Sequence, residues 1–153
     1  MLETPHGEID IKWINKVLLC APLGPINGNG AKLFAEKICH SINNKRPVSP
    51  WLRVELFRDF YTLATPDAYR FLMETLIHSR KHQCEMLCVV GVNSCNTSLF
   101  KQYSEMVGLP FISFGSLPSL ITFLQERNLV KEATELQQWL ESNIVSELPA
   151  SCF

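Results

Sequence analysis

Cys95 is the residue whose type and position best suit nucleophilic chemistry. It stands in the segment 93–97 (NSCNT), between an apolar run that ends at Val92 and the start of a helical pattern. Open α/β sheets bind ligands at such strand-to-helix turns, and a helix N-terminus lowers the pKa of a thiol. However, no basic residue lies near Cys95 in the sequence, and no histidine partner is identified. We therefore expect no enzymatic activity, and we keep a thiol-dependent enzyme built on Cys95 as the weakest alternative.

Two histidines have the spacing of zinc ligands. His78 and His82 are separated by four residues, which places two side chains on one face of a helix, and Cys39, His40 and Cys84 are further residue types that bind zinc. No second pair of ligands at a fixed spacing appears. Histidines near a helix C-terminus are also favoured by the negative end of the helix dipole. We expect no metal site and no other cofactor.

The segment 27–30 (NGNG) precedes a helical pattern and has the composition of a phosphate-binding loop. Glycines allow backbone amides to approach an anion at the positive end of a helix. Asn27, Gly28 and Asn29 belong to neither a G-x-G-x-x-G nor a Walker sequence, and these residue types also form turns and cap helices. The sequence therefore favours a structural turn at this position.

Composition narrows the class of protein. The chain has 153 residues, of which 46% are hydrophobic and 19% charged, as is typical of one globular domain. Its net charge of −1 provides no basic surface for nucleic acid. No run reaches the roughly 18 apolar residues of a membrane span, and the first residues lack the pattern of a signal peptide. The six cysteines fall mostly within apolar runs, as reduced thiols in a cytoplasmic protein do.

Hydrophobic periodicity predicts alternating strands and helices. Strands are expected at 8–14, 17–23, 51–57, 86–92 and 111–114, the first two forming a hairpin. Helices are expected from about 31 to 43, from 65 to 76, and at 98–107, 117–127 and 129–145. Thr65 is expected to cap the second helix, with Pro66 and Asp67 in its first turn. The alternation predicts a largely parallel sheet, with 86–92 as a central strand covered on both faces.

Several segments resemble the STAS family of anti-sigma-factor antagonists. The segment 17–42 is similar to the opening strand, glycine-containing turn and first helix of the family, and 54–76 to its third strand and second helix. The segments 86–93 (MLCVVGVN) and 111–124 resemble its later strands and its closing helix. The resemblance covers about 8–127 of a single domain and implies a mixed, largely parallel five-stranded sheet with flanking helices. The helix at 129–145 is an addition, and a flavodoxin-like fold is the alternative.

The resemblance also implies a regulatory phosphorylation site, from which this chain departs. In typical members a loop of sequence Asp-Ser-Ser/Thr-Gly precedes the second helix, and its second hydroxyl residue is phosphorylated by a partner kinase. Here Ala64, Thr65, Pro66 and Asp67 align with that loop, so a proline stands at the acceptor position. The usual phosphorylation switch is therefore not expected.

These patterns lead to two functional hypotheses. The first is a non-enzymatic module that binds a protein partner, in a sigma-factor or stress-signalling circuit, through Asn27, Gly28 and Asn29 together with Thr65, Pro66 and Asp67. The second is a sensor domain that binds a small apolar ligand in a cavity near the strand ends. The apolar stripe of the last helix either covers the sheet or joins two copies in a homodimer.

Overall fold

The computed structural model describes residues 4–57, 65–91 and 94–143, and at positions 94, 95 and 143 it describes the backbone alone. Within these ranges lie five strands and five helices, as expected of an α/β protein. In chain order they are β1 (Glu8–Ile14), β2 (Val17–Leu23), α1 (Gly28–Lys45), β3 (Trp51–Leu56), α2 (Ala68–Lys81), β4 (Cys84–Val90), α3 (Ser94–Val107), β5 (Phe111–Phe114), α4 (Leu117–Glu126) and α5 (Val130–Asn143).

The five strands form one mixed sheet in the order β1-β2-β3-β4-β5. β1 and β2 are the predicted antiparallel hairpin, in which Ile11 lies opposite Cys20. Their two-residue turn begins at Asn15, whose φ of 50° lies in the left-handed region that Asn tolerates better than most residues. The remaining pairs, β2 with β3, β3 with β4 and β4 with β5, are parallel. The prediction of a largely parallel sheet is confirmed.

Helices cover both faces of the sheet. Successive side chains of a strand point to opposite faces, so each strand contributes to two hydrophobic clusters. On one face Leu18 and Leu87 pack with residues of α1, α2 and α3. On the other face Val54 packs with Leu120 of α4 and Leu136 of α5. Every residue of β3 is consequently buried, including its two charged residues.

The predicted start of the second helix is wrong by two residues. Thr65 is not the N-cap, because residues 65–67 form a turn and α2 begins at Ala68. The amide of Ala68 donates to the carbonyl of Thr65 (2.9 Å), while the amide of Thr65 donates to the carbonyl of Ile26 (3.1 Å). This second bond joins Thr65 to the loop before α1 and sets its backbone outside the helix.

Other boundaries also differ from those predicted. α3 begins at residue 94, four residues earlier than expected, and β4 begins at Cys84, two residues earlier. Positions 92, 144 and 145, which were assigned to a strand and a helix, lie outside the described residues. Among the helices that the structure describes, none is both long and apolar enough to cross a membrane.

Candidate functional site

A cavity of about 80 Å³ lies between α1, α2 and the carboxyl ends of β2 and β3. In α/β sheets this edge is where ligands commonly bind, because the helices that follow the strands leave a crevice there. Most of its lining is apolar. The apolar lining residues are Ile9, Pro22, Ile26, Ala31, Phe34, Ala35, Ile38, Phe57, Ala68, Phe71, Leu72 and Phe100.

Small residues on two helices make room for the cavity. Ala31 and Ala35 are four residues apart, so they lie on the same face of α1, and Ala68 opens α2 opposite them. All three are buried, at 4 to 8% exposure. A leucine at any of these positions would occupy part of the space that the methyl groups leave open.

A buried ion pair forms part of the cavity wall. Arg53 and Glu55 of β3 both line the cavity and are 0% and 4% exposed. The Oε1 atom of Glu55 accepts hydrogen bonds from Nε (2.8 Å) and Nη2 (2.6 Å) of Arg53. Because the two residues are separated by one position on a strand, both side chains point to the same face. They therefore meet within β3 without a contribution from another strand.

Helix α2 holds the ion pair through a hydrogen bond. Nη1 of Arg53 donates to the hydroxyl of Ser79 (3.1 Å), and that hydroxyl donates to the carbonyl of Thr75 (2.8 Å). Thr75 also lines the cavity, and its hydroxyl donates to the carbonyl of Leu72 (2.8 Å). Both hydroxyls form bonds within their own helix, so their positions depend on α2 and not on a ligand.

Burial changes the acid strength of the groups at this site. Removal from water raises the pKa of the Glu55 carboxyl, and the positive charge of Arg53 opposes part of that rise. Burial also raises the pKa of the Cys20 thiol well above its usual value, and the charge of Glu55 adds to this effect. Cys20 is therefore a protonated thiol beside the ion pair.

Two further polar side chains lie on the wall near α3. The hydroxyl of Tyr69 donates to Oδ1 of Asn96 (2.8 Å), which joins α2 to α3. Asn96 is 6% exposed. The carboxylate, the hydroxyls and the amide of this site are thus few and are concentrated among many apolar groups, as in pockets that orient a small ligand.

The loop before α1 is closed by the chain itself. Oδ1 of Asn27 caps the helix by accepting from the amide of Gly30 (2.8 Å), and it also accepts from the amide of His6 (3.0 Å). Nδ2 of Asn27 donates to the carbonyl of Thr4 (2.8 Å). A Cβ atom at Gly30 would overlap the carbonyl oxygen of His6. These contacts favour the interpretation of this loop as a structural turn, since the N-terminal segment lies where a phosphate would have to bind.

The two segments expected to form one surface are adjacent in the structure. Thr65 is bonded to Ile26, and Asp67 lies so close to Gly28 that a Cβ atom there would overlap its carboxylate. Thr65, Pro66 and Asp67 are exposed. Asn29, in the first turn of α1, completes this set of residues, which we call the 27–67 surface.

The candidate zinc ligands His78 and His82 do not line this cavity. Cys95 belongs to the first turn of α3, and its side chain lies outside what the structure describes. The rings of His78 and His82 are 4.2 Å apart, and His78 contacts Oδ1 of Asn43 (2.9 Å). Within the described ranges, no three His, Cys, Asp or Glu residues form a group that could hold a metal ion.

Sequence inspection did not identify Arg53 and Glu55 as site residues. The signal was nevertheless present, because two opposite charges two positions apart interrupt a strand that is otherwise apolar. If a strand is covered on both faces, such charges must be paired inside the protein. Recognising that 51–57 lies in the middle of the sheet would have led to this pair.

Comparisons with family models, with curated proteins and with solved structures find no match to this chain. The residues of the cavity and of the 27–67 surface therefore carry the functional assignment alone.

The buried pair should stabilise the protein only while both partners are present. We expect Glu55→Leu to lower the free energy of unfolding by about 3–5 kcal/mol, because Arg53 would be buried without its counter-ion. The double substitution Arg53→Met with Glu55→Leu should restore stability to within about 2 kcal/mol of the wild type. Chemical denaturation measures both.

The half-exposed pair of Arg127 and Glu85, 3.3 Å apart, is the matched control. Glu85→Leu should change the free energy of unfolding by about 1 kcal/mol or less. A loss from Glu55→Leu no larger than this would contradict the buried pairing.

The four described thiols should react slowly in the native protein. Burial raises the pKa of Cys84 to about 11 and that of Cys88 to about 12, and it raises those of Cys20 and the half-buried Cys39. Iodoacetamide should modify Cys39 first, at a rate that rises about tenfold per pH unit below its pKa. Peptide mapping by mass spectrometry measures the order. At pH 6.5 we also expect slow labelling of Cys95, and rapid, selective labelling there would favour the enzyme hypothesis.

Proposed function

We propose that this protein is a non-enzymatic, STAS-like domain of the cytoplasm that binds a small, largely apolar ligand. The observation that carries the proposal is the apolar cavity at the carboxyl ends of β2 and β3, with the buried pair of Arg53 and Glu55 in its wall. The order of strands and helices agrees with the order that the STAS resemblance implies.

The energetics of the ion pair support a binding role. Taking two charges out of water costs several kcal/mol per ion, and their mutual attraction offsets little more than this cost. Replacing such a pair with apolar residues is often neutral or stabilising. The position of Arg53 and Glu55 is thus not explained by stability, whereas polar groups that orient a ligand have this placement.

The chemistry of the cavity favours binding over catalysis. Arg53 and Glu55 satisfy one another, and Cys20 carries a proton because its pKa is raised. A general base must accept a proton near the working pH, and a nucleophilic thiol needs a lowered pKa. Cys20 lacks the lowered pKa of a nucleophilic thiol, and the carboxylate of Glu55 is held by Arg53.

Filling the cavity should abolish ligand binding without unfolding the protein. Ala35→Leu adds three carbon atoms on the cavity face of α1, where they compete with a ligand for space. We expect fragments that bind the wild type in a ¹⁹F NMR screen of small neutral compounds to lose at least tenfold in affinity. Overpacking should cost about 1–3 kcal/mol of stability.

Lys32→Leu is the control, because Lys32 lies on the exposed face of the same helix. Fragment binding should be the same in this variant as in the wild type. Equal binding to Ala35→Leu would place the ligand elsewhere, and a screen in which no fragment binds the wild type would overturn the proposed function.

A protein partner at the 27–67 surface is the second candidate, favoured by the contact of Gly28 with Asp67. Of the residues expected to bind a partner, Thr65, Pro66 and Asp67 are exposed, Gly28 and Asn29 are partly exposed, and Asn27 is buried. The 27–67 surface also adjoins the cavity. Ile26 and Ala68, the neighbours of Asn27 and Asp67 in the sequence, line the cavity.

Charge reversal separates this candidate from the first. Asp67→Lys should reduce capture of a partner from a lysate of the source cell by roughly tenfold, because it reverses the charge at the centre of the surface. Glu126→Lys, at the exposed end of α4 on the opposite face of the sheet, should retain capture. Equal capture by the two variants would contradict docking at this surface.

A further inference from the structure

We infer that the cavity is selective for a neutral compound of one aromatic ring that carries a hydroxyl or N–H donor, the chemical class of phenol. The inference rests on the proposed ligand-binding function and names the ligand class for the same site. Three properties of the lining support it: its balance of charge, the acceptor at Thr75 and the aromatic, apolar character of its wall.

Charge balance favours a neutral ligand. Arg53 and Glu55 bring one positive and one negative charge, joined by contacts of 2.6 and 2.8 Å, so their net charge is zero. A ligand carboxylate would compete with Glu55 for the guanidinium, and a ligand ammonium would compete with Arg53 for the carboxylate. In either case one buried charge would be left without a counter-ion, which is strongly unfavourable.

The hydroxyl of Thr75 is an acceptor that a ligand can use. The hydroxyl of Thr75 has one hydrogen, which it gives to the carbonyl of Leu72 (2.8 Å), and its lone pairs can still accept. A carboxylate has about four lone-pair sites, and that of Glu55 already accepts from Arg53 on Oε1 and from the thiol of Cys20. Three of the five N–H groups of Arg53 are directed at Glu55 and Ser79. A ligand that donates a hydrogen bond therefore has an acceptor in this wall at Thr75.

Aromatic side chains and the small volume select a single ring. Phe34, Phe57, Phe71, Phe100 and Tyr69 line the cavity. The rings of Phe57 and Phe100 already meet edge to face, with centroids 5.5 Å apart, which is the geometry a ligand ring could extend. An apolar cavity of about 150 Å³ admits benzene. At about 80 Å³ this cavity is smaller, so it excludes two rings, and one ring enters only if the lining side chains move outward.

Titration of the full chain with five compounds tests the ligand class. Binding of phenol, toluene, cyclohexanol, benzoate and benzylamine is followed by ¹H–¹⁵N NMR at pH 7. Phenol should bind about five- to tenfold more tightly than toluene or cyclohexanol, since it provides both the ring and the donor. Benzoate and benzylamine should produce no saturable shifts in the cavity residues.

Substitution of the acceptor isolates the hydrogen bond. Thr75→Val should lower the affinity for phenol about five- to tenfold and leave that for toluene unchanged. Thr134→Val is the matched control, because the hydroxyl of Thr134 donates to a carbonyl of its own helix (Val130, 3.0 Å) on the exposed side of α5. If Thr75→Val fails to fold, the ranking of the five compounds on the wild type decides alone.

Each contrary result has its own meaning. Toluene binding as tightly as phenol, or an equal effect of Thr75→Val on both, would overturn the inferred class while leaving ligand binding intact. Tighter binding of benzoate or benzylamine would overturn neutrality. If none of the five compounds binds the wild type, the inference is wrong, and the fragment screen with Ala35→Leu judges the proposed function separately.

Discussion

Strand β3 lies in the middle of the sheet and is buried on both faces, and this burial constrains its neighbours. Its apolar positions, such as Val54, pack against the helices that follow the last strand. Its alternate positions include Arg53 and Glu55, which can remain inside only as a pair, because either charge alone would be buried without compensation. Helix α2 must in turn present Ser79 at the position where the guanidinium needs a further acceptor.

The cavity follows from what surrounds this pair. Positions 31 and 35 of α1 and position 68 of α2 carry only methyl groups, and the rings of Phe57 and Phe100 also line the cavity. The space between them is apolar except where the ion pair, the Thr75 hydroxyl, Tyr69 and Asn96 border it. A site of this composition holds a ligand by excluding water and orients it through a small number of polar atoms.

The 27–67 surface depends on a different interaction, the triple role of Asn27. Its side chain caps α1 and holds the N-terminal segment through His6 and Thr4. The neighbouring Ile26 carbonyl binds the amide of Thr65, which joins the two loops. Ile26 also lines the cavity, so the same short loop connects the interior site to the surface. Neither connection follows from local sequence, because each partner comes from a distant part of the chain.

Local patterns determined the elements, and tertiary contacts decided the site. The hairpin at Asn15 and the order of strands and helices were predicted correctly, because a two-residue turn and hydrophobic periodicity are properties of neighbouring residues. The start of α2 was predicted wrongly at Thr65, since a bond to another loop removed that residue from the helix. That Arg53 and Glu55 face a cavity was decided only by the packing of α1 and α2 over β3, because burial depends on what covers a side chain and not on its neighbours in sequence.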